Sequence, residues 1–224
     1  MKSMLSALKR RIQPLMTTKQ EHRHAMVGPA ALWKMKRDFQ IRFLRQMGLA
    51  PEHYLLDLGC GTLRGGIPLI EYLQPGHYFG IEVRAEALAE GRKELQEAGL
   101  EGKQPVLLQS DDVSQLSVEQ QFDYAWAFPV LIHMQDPILD QTLGFIARRL
   151  APDGTFYANV NIGEEYSGSW QGFPVVSRTL EFYREQCARH GLALADLGPL
   201  RELGHISGVE EQDIQRMLRI TRSG

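Results

Sequence analysis

The feature that most constrains this chain is the alternation of short apolar runs with helical stretches from His53 onward. Short apolar runs are typical of buried strands, and stretches with an apolar residue every three to four positions are typical of crossover helices. The predicted strands are residues 54–58, 77–82, 105–109, 122–128, 155–161, 192–197 and 215–221, and the predicted helices are residues 66–73, 84–98, 136–150 and 178–190. This order predicts an α/β fold with a doubly wound, mostly parallel sheet. Because no long helix separates the last two strands, we expect the last strand to be antiparallel.

A basic segment, residues 1–50, precedes the alternating pattern. It holds 11 Lys and Arg and 2 acidic residues, although the whole chain has a net charge of −2, so residues 51–224 carry a net charge of −11. Apolar residues recur at helical steps between Pro29 and Met47 and predict a helix there. We therefore divide the chain into a basic helical N-terminal cap, residues 1–50, and an α/β domain, residues 51–224. The basic residues either coat helix surfaces or contact an anionic partner, and the pattern of residues 1–15 is compatible with peripheral contact with a membrane.

Composition excludes several classes of protein. Hydrophobic residues make up 43% of the 224 residues, which is enough for a core. No apolar stretch reaches the roughly 20 residues of a membrane span. Cys60 and Cys187 are the only cysteines, too few for a disulfide framework, so we expect a cytoplasmic location. The small net charge disfavours a general nucleic-acid-binding protein.

A glycine-rich loop follows the first predicted strand, in the sequence Asp57-Leu58-Gly59-Cys60-Gly61. Gly59 and Gly61 allow a sharp turn and let a ligand lie directly on the backbone. In a doubly wound sheet, the loop at this position borders the crevice where ligands bind. Asp57 adds a negative charge, which disfavours a pyrophosphate ligand and favours a cationic one.

Further acidic residues end the next two predicted strands. Glu82 lies 21 positions after Gly61 and suits the binding of both hydroxyls of a ribose. Asp111 and Asp112 follow the third strand, where a carboxylate can accept a hydrogen bond from an adenine amino group, and we favour Asp111 for this role. Each of these carboxylates could instead cap a turn. Their joint position at the carboxyl edge of one sheet favours a shared ligand site.

Together these motifs resemble those of the class I S-adenosylmethionine (SAM)-dependent methyltransferases, over residues 50–221. DLGCGTLRGG (57–66) resembles the first motif of that family, GIE (80–82) its ribose-binding position, and SDDV (110–113) its adenine-side motif. FDYAWAFPVLIHM (122–134) resembles its fourth strand and the following loop, and RRLAPDGTFYANV (148–160) its next helix, turn and fifth strand. Five motifs in order are far more specific than one.

The resemblance implies a Rossmann-like fold and an enzyme that uses SAM and releases S-adenosylhomocysteine (SAH). The N-terminal helical cap is similar to that of a bacterial subgroup of small methyltransferases whose acceptors are often unknown. The cofactor site implied by the resemblance consists of Asp57, Gly59, Cys60, Gly61, Glu82, Asp111, Asp112 and Phe128.

His133 is the candidate general base, because it follows the fourth strand, where the family places the acceptor, and because imidazole titrates near neutral pH. The alternative is a histidine packed against the next helix. Residues 127–130 lack the Asn/Asp-Pro-Pro-aromatic box of amino-methylating nucleic-acid enzymes, which disfavours methylation of a DNA or RNA base. The Asp/Asn set with which catechol-type members hold magnesium is also missing. We therefore expect metal-independent transfer, to an oxygen of a small-molecule or glycan-type acceptor.

Other residues are predicted to close the site. Residues 161–173 show neither helical nor strand periodicity, and we interpret them as a substrate-side lid in which Tyr166 and Trp170 offer flat contact surfaces. The alternative is an ordinary surface loop. Trp33 is expected to close the cofactor pocket, and His205 to face the acceptor pocket.

Three other functions stay open at the level of sequence. The enzyme could methylate RNA or another anionic macromolecule, with the basic cap contacting phosphates. It could be an NAD-dependent oxidoreductase, although Asp57 and the missing third glycine of the dinucleotide fingerprint disfavour this. It could also be a non-catalytic Rossmann-like binding module. The sequence does not determine the oligomeric state.

Overall fold

The computed structural model describes residues 23–164, 166–170 and 172–224, so the predicted membrane contact of residues 1–15 lies outside the described residues. The α-helices are α1 (Trp33–Gln46), α2 (Gly66–Tyr72), α3 (Ala85–Glu97), α4 (Asp136–Arg149), α5 (Leu180–Arg189) and α6 (Glu210–Asp213). The strands are β1 (Leu55–Leu58), β2 (Tyr78–Glu82), β3 (Val106–Gln109), β4 (Phe122–Ala127), β5 (Leu150–Val160), β6 (Tyr166–Trp170), β7 (Phe173–Ser177), β8 (Leu192–Pro199) and β9 (Arg216–Arg222). None of the helices within these ranges has the length and apolar run that crossing a membrane needs.

The main sheet has the strand order β3-β2-β1-β4-β5-β9-β8. The strands from β3 to β5 pair in parallel, and β9 is antiparallel to both of its neighbours. The predicted doubly wound α/β fold with an antiparallel last strand is therefore confirmed. The chain reverses direction across the sheet between β1 and β4, which places the loops after these two strands beside each other at the switch point.

Helix α1 of the N-terminal segment packs into the same hydrophobic core as the sheet. The predicted helix between Pro29 and Met47 is present as α1, preceded by a 3₁₀ turn at Ala30–Leu32. Phe39 and Phe43 are almost completely buried and pack in one cluster with Leu55 of β1. Lys36 and Gln40 share this buried face, so two polar residues enter the domain with the apolar ones.

The segment interpreted as an irregular lid forms a hairpin, which corrects the prediction for residues 161–173. Strands β6 and β7 pair antiparallel, with Trp170 opposite Phe173 and Gly172 between them at φ +82°. The strand pattern was hidden because β6 reads Tyr-Ser-Gly-Ser-Trp, and Gly and Ser are depleted in strands. The hairpin lies between β5 and α5 in the chain and carries its residues to the carboxyl edge of the main sheet.

Candidate functional site

A cavity of about 670 Å³ lies at the carboxyl ends of β1, β2 and β4. This volume is within the range of about 300–1,000 Å³ that is usual for small-molecule sites. The wall combines the loops after these strands with residues 27–29, with α1, with the hairpin and with residues 211–215. Residues of the N-terminal segment therefore form part of the wall.

The glycine-rich loop forms the floor of the cavity beside β1. Gly59 and Gly61 have φ values of +68° and +57°, which residues with a Cβ rarely adopt. A Cβ on Gly59 would lie 2.5 Å from Val130 Cγ2, and one on Gly61 would lie 2.7 Å from Val27 Cγ1. Glycine is therefore required at both positions, by conformation and by space.

Asp57 is a buried acid in the cavity wall, and its exposed fraction is 4%. Its pKa is raised to about 7, and burial is the main cause. The hydrogen bond that Tyr78 Oη donates to Asp57 Oδ2 (2.5 Å) acts in the opposite direction and lowers the pKa. The charge of Glu82 also contributes to this rise in the pKa, whereas the charge of Arg64 acts against it. Asp57 is therefore partly protonated near neutral pH, and a cation bound next to it would favour the ionised form.

Glu82 joins the end of β2 to the glycine-rich loop. Its Oε2 accepts a hydrogen bond from Gly61 N (2.9 Å), and its Oε1 accepts from Arg84 N (3.0 Å) and Arg84 Nε (3.1 Å). An ionised carboxylate accepts about four hydrogen bonds. Glu82 accepts three here, so it can accept one more hydrogen bond, at Oε2. Binding both hydroxyls of a ribose would therefore require Arg84 to release one of its hydrogen bonds to Glu82.

The structure separates Asp111 from Asp112. Asp111 lies in the cavity wall. Asp112 instead caps the 3₁₀ turn Val113–Gln115, where its carboxylate accepts hydrogen bonds from Ser114 N (2.9 Å) and Gln115 Nε2 (2.7 Å). The preference for Asp111 agrees with this placement, whereas Asp112 serves the local turn.

Cys60 and Phe128 complete the predicted cofactor site, and both lie in the wall. Burial raises the pKa of the Cys60 thiol well above its usual value, so the side chain is neutral. Phe128 stacks on Trp126 with ring centroids 5.4 Å apart. Both side chains contribute apolar surface to the cavity.

His133 lies in the wall at the end of the 3₁₀ turn Leu131–His133, after β4. Its Nδ1 is 2.7 Å from the carbonyl oxygen of Pro174 in β7. Because a carbonyl can only accept, Nδ1 carries the proton and the neutral ring has its lone pair on Nε2. Burial lowers the pKa of His133, with a smaller contribution from Arg84, so the ring is neutral at pH 7.

The hairpin covers the His133 side of the cavity. Trp170 stacks on the His133 ring with centroids 5.7 Å apart, and it is 37% exposed. Phe173 lies under the guanidinium of Arg84, which is 5.5 Å from its ring centroid. Tyr166 is in β6 opposite Ser177, and its side chain lies outside the described residues. The prediction that this segment borders the cavity agrees with the position of Trp170.

Two predicted pocket residues lie behind the wall, which corrects their interpretation. Trp33 stacks on His24 with centroids 4.1 Å apart and is not among the residues that line the cavity, whereas residues 27–29 are. His205 is buried against Phe39 and binds Asp213 through Nδ1 (3.0 Å). Both predictions treated a ring near a motif as a pocket residue, whereas these rings are packed within the domain.

Several residues of the cavity wall were not predicted from the sequence, in particular Lys36, Arg64 and Arg84. A signal existed for Lys36, which shares the apolar face of α1 with Phe39. A signal also existed for Arg64, which lies within the glycine-rich stretch. Arg84 donates to Met26 O (2.8 Å) as well as to Glu82, so it links the N-terminal segment to β2.

The described basic residues of the N-terminal segment contact the protein itself. Arg23 donates to Glu97 Oε2 (2.8 Å) and Glu90 Oε2 (3.2 Å) of α3. Arg42 donates to the carbonyl oxygen of Gly204 (2.7 Å), and Lys34 pairs with Asp38 on the same helix. The guanidinium groups of Arg37 and Arg45 lie over aromatic rings. Among the described residues, no cluster of three or more His, Cys, Asp or Glu could hold a metal ion.

Comparison with known proteins finds a family model that matches part of the chain and solved structures that share its fold. Residues 56–156 match the family described as a methyltransferase domain, and none of the curated proteins compared with the chain matches it. A structure of a SAM-dependent methyltransferase from Clostridium acetobutylicum ATCC 824 is similar with a TM-score of 0.65 and 14% identity, over 95% of this chain and 99% of that chain.

Two further solved structures are similar. A glycopeptide N-methyltransferase has a TM-score of 0.64 and 14% identity, over 84% of this chain and 90% of that chain. A magnesium protoporphyrin IX methyltransferase from Synechocystis PCC 6803, with SAM bound, has a TM-score of 0.61 and 17% identity, over 85% of this chain and 79% of that chain. At these identities the similarity shows the fold.

Proposed function

We propose that the chain is a class I SAM-dependent methyltransferase and that it methylates an oxygen atom of a small-molecule or glycan-type acceptor. The observation that carries this proposal is the state of His133. A neutral imidazole with its lone pair on Nε2 lies in the cavity wall, held in that tautomer by the carbonyl of Pro174. Such a group suits the removal of a proton from a hydroxyl.

The residues of the cavity fit the cofactor. SAM supplies a methyl group on a positively charged sulfur, which is a good leaving group. We assign the cation-facing position to Asp57, the ribose to Glu82 and the adenine amino group to Asp111. The glycine-rich loop adds a surface on which a Cβ would collide with Val27 or Val130, so a ligand there lies against bare backbone.

His133 would act at the acceptor. A hydroxyl placed beside Nε2 can transfer its proton to the ring as its oxygen becomes a nucleophile. Trp170 stacks on the ring and limits its contact with water, which keeps the pKa low and the base unprotonated at neutral pH. Reaction of an amine that is already neutral would need this base less, which is why the oxygen acceptor is favoured.

The contacts of the basic segment favour a small acceptor over RNA. Arg23 is occupied by the acidic residues of α3, and Lys36 is enclosed in the cavity wall. Binding to RNA depends on exposed cations that release counterions from phosphates. The described part of the segment offers few such groups.

The test has two stages. Calorimetric titration with SAH and with NAD should show binding of SAH alone, and a panel of phenols, sugars, amines and short RNAs should then be screened for methyl transfer from SAM. With an acceptor that reacts at oxygen, His133→Ala should lower kcat by about 10²- to 10⁴-fold. His77→Ala, outside the cavity, is the matched control and should retain full activity. Transfer only to amines, or full activity of His133→Ala, would reject the proposal.

A further inference from the structure

Two cationic side chains are enclosed in the cavity wall on the side of α1. Lys36 comes from the first turn of α1, and Arg64 from the loop between β1 and α2. Each is only 6% exposed, and both line the cavity. Lys and Arg are almost never buried to this extent unless they are paired.

Neither cation has a carboxylate partner among the described residues. Arg64 Nη1 donates to the carbonyl oxygen of Val27 (2.6 Å), but its Nε is buried without a hydrogen-bond partner in the described part of the chain. Asp57 accepts from Tyr78, and Asp213 accepts from Ser207 N (2.8 Å) and His205. The nearby acids are therefore engaged elsewhere, although their charges act on the two cations over longer distances.

Burial disfavours the charged forms of both side chains. The pKa of Lys36 is lowered to about 8, mainly by burial and also by the charge of Arg64, whereas the charge of Asp213 acts in the opposite direction. Burial also lowers the pKa of Arg64 to about 10, although the negative charge of Asp57 acts to raise it. An unpaired buried charge is costly, and an anion bound beside it removes much of that cost.

We propose that Lys36 and Arg64 form a carboxylate-binding subsite in this cavity. The proposal rests on the proposed function in taking the cavity as the methyl-transfer site. Arg64 offers a planar fork that matches a carboxylate, and Lys36, which lines the same cavity, adds a second, compact positive charge. The carboxylate belongs either to the methionine portion of the cofactor or to the acceptor, and the following experiment separates these sources.

The experiment measures the binding of three probes by calorimetry. SAH carries the amino-acid portion, 5′-methylthioadenosine lacks it, and benzoate, added to SAH-saturated protein, stands for an acceptor carboxylate. The variants are Lys36→Met, which keeps an apolar stem, Lys36→Gln as a second neutral form, and Arg64→Lys, which keeps the charge but not the fork. Lys34→Met is the control, because Lys34 is exposed on the same helix. Urea unfolding verifies that each variant is folded.

Each outcome supports or overturns the subsite. If it holds the cofactor, the neutral Lys36 variants should bind SAH about 10- to 100-fold more weakly and 5′-methylthioadenosine with unchanged affinity. If it holds the acceptor, both nucleosides should bind as in wild type and benzoate should lose a similar factor. Arg64→Lys should give a smaller loss of the same probe. Unchanged binding of all three probes in the Lys36 variants overturns the proposal.

The result also separates this proposal from the proposed function. If wild-type protein binds neither SAH nor 5′-methylthioadenosine, the assignment of the cavity to the cofactor is rejected. Benzoate is then titrated into the free protein, and a loss of its binding in Lys36→Met but not in Lys34→Met still supports an anion subsite. Equal binding in the two variants would overturn it.

Discussion

Replacing Asp57 by Asn should stabilise the unliganded protein at alkaline pH and weaken cofactor binding at the same time. Asp57 is almost completely buried, and burial raises its pKa from 3.8 to about 7. Asn keeps an oxygen that can accept the hydrogen bond of Tyr78 Oη but carries no charge. The substitution therefore removes the cost of ionising a buried acid and leaves the local hydrogen bond in place.

The magnitude follows from the pKa. A rise from 3.8 to about 7 corresponds to about 4 kcal/mol, at 1.36 kcal/mol per pKa unit. Because the folded-state pKa of Asp57 lies above its unfolded value, the unfolded state loses the proton first, and the stability of wild type falls as pH rises between these values. The free energy of unfolding of Asp57→Asn should therefore equal that of wild type below about pH 4 and exceed it by about 4 kcal/mol above about pH 7.

Urea unfolding from pH 4.5 to pH 8.5 provides the assay, with the exposed Asp153→Asn as a control. In calorimetry at pH 8, Asp57→Asn should bind SAH about 10- to 100-fold more weakly, because SAH lacks the sulfonium but keeps the ammonium of its amino-acid portion, and the charge-assisted contact of that ammonium with Asp57 is lost. A difference in unfolding free energy between Asp57→Asn and wild type that stays constant over this pH range would refute the reasoning about burial. Unchanged affinity for SAH would refute the role assigned to Asp57.

Three further substitutions test the floor, the cover and the core of the site. Gly61→Ala should abolish calorimetric binding of SAH, since a Cβ at φ +57° would lie 2.7 Å from its nearest neighbour, and retained binding would contradict the close approach of a ligand. Trp170→Ala should raise the pKa of His133 toward its ordinary value by exposing the ring, as followed by NMR titration; an unchanged pKa would show that other contacts bury it. Phe39→Ala should lower the free energy of unfolding by about 3–5 kcal/mol in urea, whereas a loss below about 1 kcal/mol would place α1 outside the cooperative core.

The sequence predicted the sheet and the carboxyl-edge site because both depend on local patterns. Apolar runs bounded by turns locate the strands, and the chain order of the strands places the loop after β1 at the switch point. Asp57, Gly61 and Glu82 therefore lie together in the cavity wall as expected. Each of them lies near the end of a strand or in the loop after it, so the pairing register of β1 and β2 fixes the positions of all three.

Other features depended on contacts that the sequence does not encode locally. Asp111 and Asp112 are adjacent and chemically identical, and what separates them is the turn in which Asp112 accepts from Ser114. The rings of Trp33 and His205 contact His24 and Asp213, respectively, and do not line the cavity. Their position in the sequence near a motif therefore did not predict their place in the structure.

The uneven charge of the chain has an internal explanation in the described residues. The basic segment suggested an external anionic partner, yet Arg23 binds Glu90 and Glu97, which belong to the acidic domain. Arg84 then fixes the backbone of the same segment at Met26, directly before the residues that form the cavity wall. The ion pairs of Arg23 and the hydrogen bond from Arg84 to Met26 therefore hold this segment against the site, which is a role that the separate net charges of residues 1–50 and 51–224 do not reveal.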